Sequence, residues 1–176
     1  MFKSLNLKVI IFGFIFTFFS SFGQSFFLGL FNSSIRETLS ITHGQFGSIY
    51  ASATLLSSFL LIWVGKKIDD LKLINFSLLV VFLLFISSIF FSYVNNIYLL
   101  FAGIFLLRLS GQGLMSHTAT TSISRYFNYN RGKALSVTWL GLSFAEFIMP
   151  VTIVFFLSIY SWRNIWISIA LLIILF

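Results

Sequence analysis

The residues with the clearest chemical potential in this chain lie in the run 108–113, RLSGQG, in the middle of a long apolar segment. Arg108 is eleven residues beyond Ile97, the first residue of that segment, which corresponds to about 16 Å along a helix. This depth is the middle of a hydrocarbon core about 30 Å thick. A guanidinium stays charged there and is unfavourable in lipid. We therefore expect Arg108 to face the interior of a helix bundle, a carboxylate or a water-filled cavity.

Two glutamines are candidates to act beside this cation. Gln112 follows Arg108 by four residues, so both side chains lie on one face of a helix. A guanidinium next to a neutral amide suits a small organic anion, because the guanidinium can donate two parallel hydrogen bonds to a carboxylate. Gln24 lies fifteen residues into the first apolar segment, as Gln112 does in its own, and both are preceded by glycine. The alternative for both glutamines is hydrogen bonding between helices.

Glu146 is the one carboxylate expected inside an apolar segment. It lies twelve residues from Ser158, near the outer end of its helix, which is about 18 Å deep and close to the level of Arg108. We predict that the two charges approach one another or share a cavity, where they could take up and release a proton. A static ion pair with a purely structural role is the alternative.

The composition places the chain in a membrane. Hydrophobic residues make up 59% and charged residues 9% of the sequence, and the mean hydropathy is +1.02, far outside the range of soluble domains. The absence of cysteine excludes disulfides, thiolate metal sites and cysteine nucleophiles. No spacing typical of a metal site or a catalytic nucleophile is visible, so we predict no metal, no cofactor and no enzyme activity. The net charge of +7 lies mostly in short loops, which argues against nucleic acid.

The apolar residues fall into six segments of helical length, at 9–31, 46–64, 73–93, 97–121, 134–160 and 164–176. Only helices satisfy their own backbone groups in lipid without closing a barrel. The sequence therefore predicts an all-α integral membrane protein, a six-transmembrane-helix bundle that forms one unit over residues 1–176. The polar stretch 32–45 is predicted to be a loop. A cleaved signal peptide is the alternative for the first segment, whose apolar run exceeds the about 7–15 residues of such signals.

The loop charges predict the orientation of the bundle in the cell membrane. With the N-terminus in the cytoplasm, eight basic residues lie inside and two outside, which follows the positive-inside rule. The eight are Lys3, Lys8, Lys66, Lys67, Lys72, Arg125, Arg131 and Lys133, and the two are Arg36 and Arg163. The chain stops within its last apolar segment, so we expect a further part of the protein beyond Phe176.

Two motifs in this order resemble the major facilitator superfamily: Gly65-x-x-x-Asp69 after the second segment, and Arg108-x-x-Gly111-x-Gly113 in the fourth. The runs 124–127, SRYF, and 131–135, RGKAL, are similar to the branch of monocarboxylate and oxalate/formate transporters. This resemblance implies the first half of a twelve-helix fold whose C-terminal half is absent here. It also implies a secondary active transporter, proton-coupled or an exchanger, that moves a monocarboxylate-like anion by alternating access.

By the same resemblance, Gly65, Asp69, Arg125 and Arg131 would form a charged gate at the cytoplasmic side. Solvated loop charges that only set the topology are the alternative. For the whole chain, the alternative to a transporter is an independent six-helix membrane protein with a structural or interaction role. In either case the expected surroundings are the lipid bilayer.

Overall fold

The computed structural model describes the backbone of residues 4–175 and the side chains of residues 7–175. Within these residues the chain is helical and has no strand. The helices are α1 (Ser4–Ser20), α2 (Ser25–Leu30), α3 (Asn32–Leu39), α4 (His43–Asp70), α5 (Leu73–Ser92), α6 (Ile97–Leu107), α7 (Ser116–Tyr126), α8 (Arg131–Leu157) and α9 (Trp162–Ile174). Lys3 and Phe176, which were used to predict the orientation and a continuation of the chain, lie outside the described residues.

Five stretches in the described part are long and apolar enough to cross a membrane. They are Leu7–Leu30, His43–Asp70, Leu73–Ser92, Ile97–Tyr126 and Arg131–Leu157. The predicted all-helical membrane fold is therefore confirmed. The predicted sixth segment corresponds to α9, an apolar helix of 13 residues, which is shorter than the about 20 residues of a typical spanning helix.

Several helix ends differ from the predicted ones for local reasons. The second span begins at His43 instead of 46, because Thr42 and Gln45 form a capping box in which each side chain bonds the other's backbone N–H, at 3.2 and 2.8 Å. The predicted loop 32–45 contains helix α3, whose Ile35 is 1% exposed. Ser40 ends this helix in the left-handed conformation, with φ of 53°.

The first and fourth spans are not continuous α-helices, which the sequence prediction did not anticipate. The first is interrupted by a 3₁₀ turn at Ser21–Gly23 and by Gln24, which is extended with ψ of 155°. The fourth contains a π-helical segment, Arg108–Met115, between α6 and α7. Segments of this kind are frequent at functional sites. Each interruption contains one of the two Gly-Gln pairs.

The two interruptions pack against each other through their backbones. A Cβ atom on Gly111 would lie 2.6 Å from the backbone nitrogen of Gly23, and one on Gly23 would lie 2.5 Å from the backbone nitrogen of Gln112. Only glycine fits at either position, since real Cβ atoms are not found so close to other heavy atoms. The paired Gly-Gln motifs therefore meet at their glycines.

The spans differ strongly in burial. Half of the apolar window is buried in the first and fourth spans, but only 11% in α4 and 22% in α8. Helix α1 packs between α8 and the fourth span, and α5 packs against α9. At the crossing of α1 and α8, the Thr17 hydroxyl donates to the Thr138 carbonyl at 2.6 Å. The interrupted spans thus form the interior, while α4 and α8 present wide apolar faces.

Candidate functional site

Arg108 begins the π-helical segment and is 7% exposed. Its Nη1 donates to the Gly23 carbonyl at 3.1 Å and to the Ser25 hydroxyl at 3.2 Å. Its Cζ lies 5.3 Å from the centre of the Tyr50 ring, within range of a cation–π interaction. The guanidinium is therefore held by the first and second spans together.

The Gly23 carbonyl is available because the first span is interrupted at this point. The backbone N–H of Gln24 bonds to Ser21, and that of Leu28 bonds to Gln24. A carbonyl at the end of a helix needs a partner from outside the helix. Arg108 Nη1 donates this hydrogen bond, so one nitrogen of the guanidinium has a structural role.

The other edge of the guanidinium has no hydrogen-bond partner in the described part of the chain. Nε is buried without a hydrogen bond in the described chain, and the hydrogen bonds of Arg108 come from Nη1. No carboxylate pairs with Arg108 among residues 7–175. The Nε–Nη2 edge can donate two parallel hydrogen bonds to a carboxylate. The arrangement is a buried cation with neutral partners and one unused edge.

A small cavity lies beside Arg108. Its volume is about 130 Å³, and it is lined by Ser57, Ser58, Leu61, Arg108, Gln112 and Gly113. The Oε1 atom of Gln112 is buried without a hydrogen-bond partner in the described residues. The size is close to that of an engineered cavity of about 150 Å³ that accepts benzene. Arg108 and Gln112, predicted to share a helix face, are thus brought to the same cavity.

Gln24 is placed differently from Gln112. It is partly buried at the interruption of the first span and is not among the residues that line the cavity. Of the two glutamines predicted to act beside Arg108, Gln112 lines this cavity and Gln24 does not.

The predicted approach of Arg108 and Glu146 is also not found. Glu146 is exposed on α8, and no ion pair joins it to Arg108 in the described part of the chain. One reason is rotation, because Glu146 lies about 100° around the helix from Ala145, which is fully buried. The other reason is that α8 packs mainly on α1, which separates it from the fourth span along much of its length.

At the C-terminal end of the fourth span, two of the predicted gate residues form an ion pair. Arg125 Nη2 lies 2.7 Å from the Asp69 carboxylate and also donates to the Ile68 carbonyl at 2.9 Å. Arg131 instead donates to the Ser124 hydroxyl at 2.5 Å. The side chains of Arg125 and Asp69 are 36% and 73% exposed, so this ion pair adds little stability.

Gly65, the remaining predicted gate residue, is buried in α4. The His117 ring nitrogen Nε2 lies 3.1 Å from the Gly65 carbonyl. This hydrogen bond connects α4 to the fourth span.

Sequence reasoning missed two polar residues that contact the guanidinium, Ser25 and Tyr50, and two that line the cavity beside it, Ser57 and Ser58. The last three are spaced i, i+7 and i+8 on α4 and share one face of that helix. A polar stripe inside an apolar span is a signal that could have identified them. Ser25 had no such signal, because its position depends on the interruption at Gly23.

The described residues form an all-helical membrane protein whose apolar spans carry buried polar groups beside a small cavity. Comparison with protein families identifies the class further, because the model of the Major Facilitator Superfamily matches residues 13–176. The chain therefore belongs to the Major Facilitator Superfamily, whose members are membrane transporters. No curated protein matches the chain in sequence. The match supports a lipid environment and a small-molecule substrate, and it names no branch of the superfamily.

Proposed function

We propose that this protein is a secondary active transporter that moves a small organic anion, monocarboxylate-like in size, by alternating access. The observation that carries the proposal is the state of Arg108. Its guanidinium is 7% exposed, its hydrogen-bond acceptors are neutral, and its Nε has no partner. An unpaired buried charge is strongly unfavourable, and an anionic ligand would compensate it.

The neighbours of Arg108 favour a carboxylate as that ligand. The Nε–Nη2 edge matches the two oxygens of a carboxylate group. Because Nε is buried in this structure, a ligand that binds both nitrogens requires the groups covering Nε to move. Gln112 adds an amide to the same cavity, whereas the hydroxyl groups of Ser57 and Ser58 already donate to the Thr54 carbonyl, at 2.8 and 2.9 Å. The volume of about 130 Å³ favours an anion of a few heavy atoms.

The coupling and the gate complete the proposal. The exposed faces of α4 and α8 support a path whose other wall is formed by a second set of helices. Glu146 and Gln24 would face that path as coupling and substrate residues, in proton symport or in exchange.

The ion pair of Asp69 and Arg125 would brace one end of the path and separate when that end opens, with Gly65 and Arg131 beside it. That end, which also contains Lys66 and Lys67, would be the cytoplasmic side of the cell membrane.

The test is uptake by cells that express the complete reading frame, with labelled formate, acetate, lactate and oxalate as probes. We expect Arg108→Ala to abolish uptake of the transported anion at an unchanged amount of protein in the membrane. Arg36→Ala is the matched control, because Arg36 bonds to Asn32 within α3, away from the cavity. Normal uptake by Arg108→Ala would contradict the proposal. A wild-type protein that inserts stably but moves none of these anions would favour a structural or interaction role instead.

A further inference from the structure

We propose that Ser25 and Tyr50 form a neutral clamp that positions Arg108 while leaving its positive charge uncompensated for the ligand. The neutral clamp is the pair of side chains that holds Nη1 and the face of the guanidinium. The inference rests on the proposed function, in which Arg108 binds an anion. It assigns a positioning role to two residues that sequence reasoning did not identify.

The Ser25 hydroxyl is the central acceptor of the clamp. It accepts a hydrogen bond from Tyr50 Oη at 2.8 Å and a second from Arg108 Nη1 at 3.2 Å. A hydroxyl oxygen has two acceptor lone pairs, so it can accept both bonds at once. The three residues belong to α2, α4 and the π-helical segment. The clamp therefore fixes the guanidinium relative to three separate parts of the fold.

The Tyr50 ring holds the cation without neutralising it. Its centre lies 5.3 Å from Arg108 Cζ, where the ring quadrupole attracts a cation. The ring, the hydroxyl of Ser25 and the carbonyl of Gly23 carry no net charge. Together they hold Nη1 and one face, so the Nε–Nη2 edge stays unused.

The charge at position 25 should therefore determine whether the site binds an anion. A carboxylate at this position would lie at hydrogen-bonding distance from Nη1, because the Ser25 oxygen is already 3.2 Å from that atom. It would form an internal ion pair that an incoming anion must displace. A neutral side chain of the same size would leave the charge of Arg108 available.

The experiment compares Ser25→Asp with Ser25→Asn, which have nearly the same shape and differ in charge. With the labelled carboxylates as probes, we expect uptake by Ser25→Asp to be about tenfold or more below that of Ser25→Asn. Ser33→Asp is the control, because Ser33 lies on α3, makes no hydrogen bond to Arg108 in the described chain and receives the same added charge. Equal uptake by the Asp and Asn variants at position 25 would overturn the proposal.

A second readout does not depend on transport. We expect the purified Ser25→Asp protein to melt about 2–4 °C above Ser25→Asn, because its carboxylate compensates the buried charge. In an Arg108→Ala background this difference should vanish or reverse, as expected for two interacting residues. No difference in either background would overturn the clamp. If the coupling is present but Arg108→Ala transports normally, the proposed function fails while the geometry of the clamp stands.

Tyr50→Phe is the second variant, which retains the ring and removes the hydrogen bond to Ser25. We expect KM for the transported carboxylate to rise about three- to tenfold with little change in maximal rate. Tyr98→Phe is the matched control, because Tyr98 is 86% exposed and lies near the start of α6, about 15 Å along the span from Arg108. An unchanged KM in Tyr50→Phe would overturn the role of this hydroxyl.

Discussion

Two arginines of the fourth span, Arg108 and Arg125, are held in opposite ways. Arg125 lies in the last turn with a 36% exposed side chain, and the carboxylate of Asp69 is 2.7 Å away. Arg108 is 7% exposed, and its partners are a carbonyl, a hydroxyl and an aromatic ring. Within residues 7–175, a carboxylate thus pairs with the arginine whose charge water already screens, and none pairs with the arginine that water scarcely reaches. Stability alone favours the reverse distribution.

Under the proposed function, Arg108 serves a ligand, whereas Arg125 joins two helix ends. The surroundings of Arg108 depend on two interruptions in the spans, which pack against each other at Gly23 and Gly111. The surroundings of Arg125 depend on two ordinary helix ends, those of α4 and α7. Substitutions around Arg108 should therefore change uptake and stability more than substitutions around Arg125.

The largest effect is expected from Gly111→Leu, which places a side chain where the Gly23 backbone lies 2.6 Å from the Cβ position. Overpacking of this kind lowers the free energy of unfolding by about 1–3 kcal/mol, and it should displace Arg108 from the Gly23 carbonyl. Thermal unfolding of the purified protein and uptake of the labelled carboxylates measure the two consequences. Gly44→Leu is the control, since nothing lies within 4 Å of its Cβ position. Equal melting temperatures for the two variants would contradict the described contact.

A smaller effect is expected from Arg108→Lys, which retains the charge and loses the planar pair of donors. Lysine donates as a point charge and cannot bind a carboxylate through two parallel bonds, so uptake should fall about tenfold. Arg125→Lys sharpens the comparison, because an exposed ion pair tolerates the exchange and uptake should stay within about threefold. Uptake measured at several substrate concentrations tests both variants. Similar losses in the two would remove the distinction between the two arginines.

The sequence predicted the fold class and part of the site for identifiable reasons. The pairing of Arg108 with Gln112 was predictable because residues four apart share a helix face. The interruption at Gly23 was not, because it depends on a contact with Gly111, 88 residues further along the chain. The position of Glu146 was missed because depth along a helix does not determine rotation about it or the helix that packs beside it.

The smallest effect is expected from Asp69→Asn, which removes the carboxylate that pairs with Arg125. Loss of an exposed ion pair should lower the free energy of unfolding by at most about 1 kcal/mol, which corresponds to a fall in melting temperature of about 2–4 °C. Asp70→Asn is the matched control, because Asp70 forms a longer exposed contact with Lys67, at 3.4 Å. A much larger loss in Asp69→Asn would show that this end is more than a peripheral brace.

Ligand protection of the two arginines tests most directly whether the charge of Arg108 is kept for an anion. The full-length protein in vesicles is treated with a small arginine-specific dicarbonyl, with and without the carboxylate that gives the highest uptake. Modification of each arginine is then measured by mass spectrometry. We predict that the carboxylate slows modification of Arg108 severalfold and leaves Arg125 unchanged. Equal rates at Arg108 with and without the carboxylate would contradict the account.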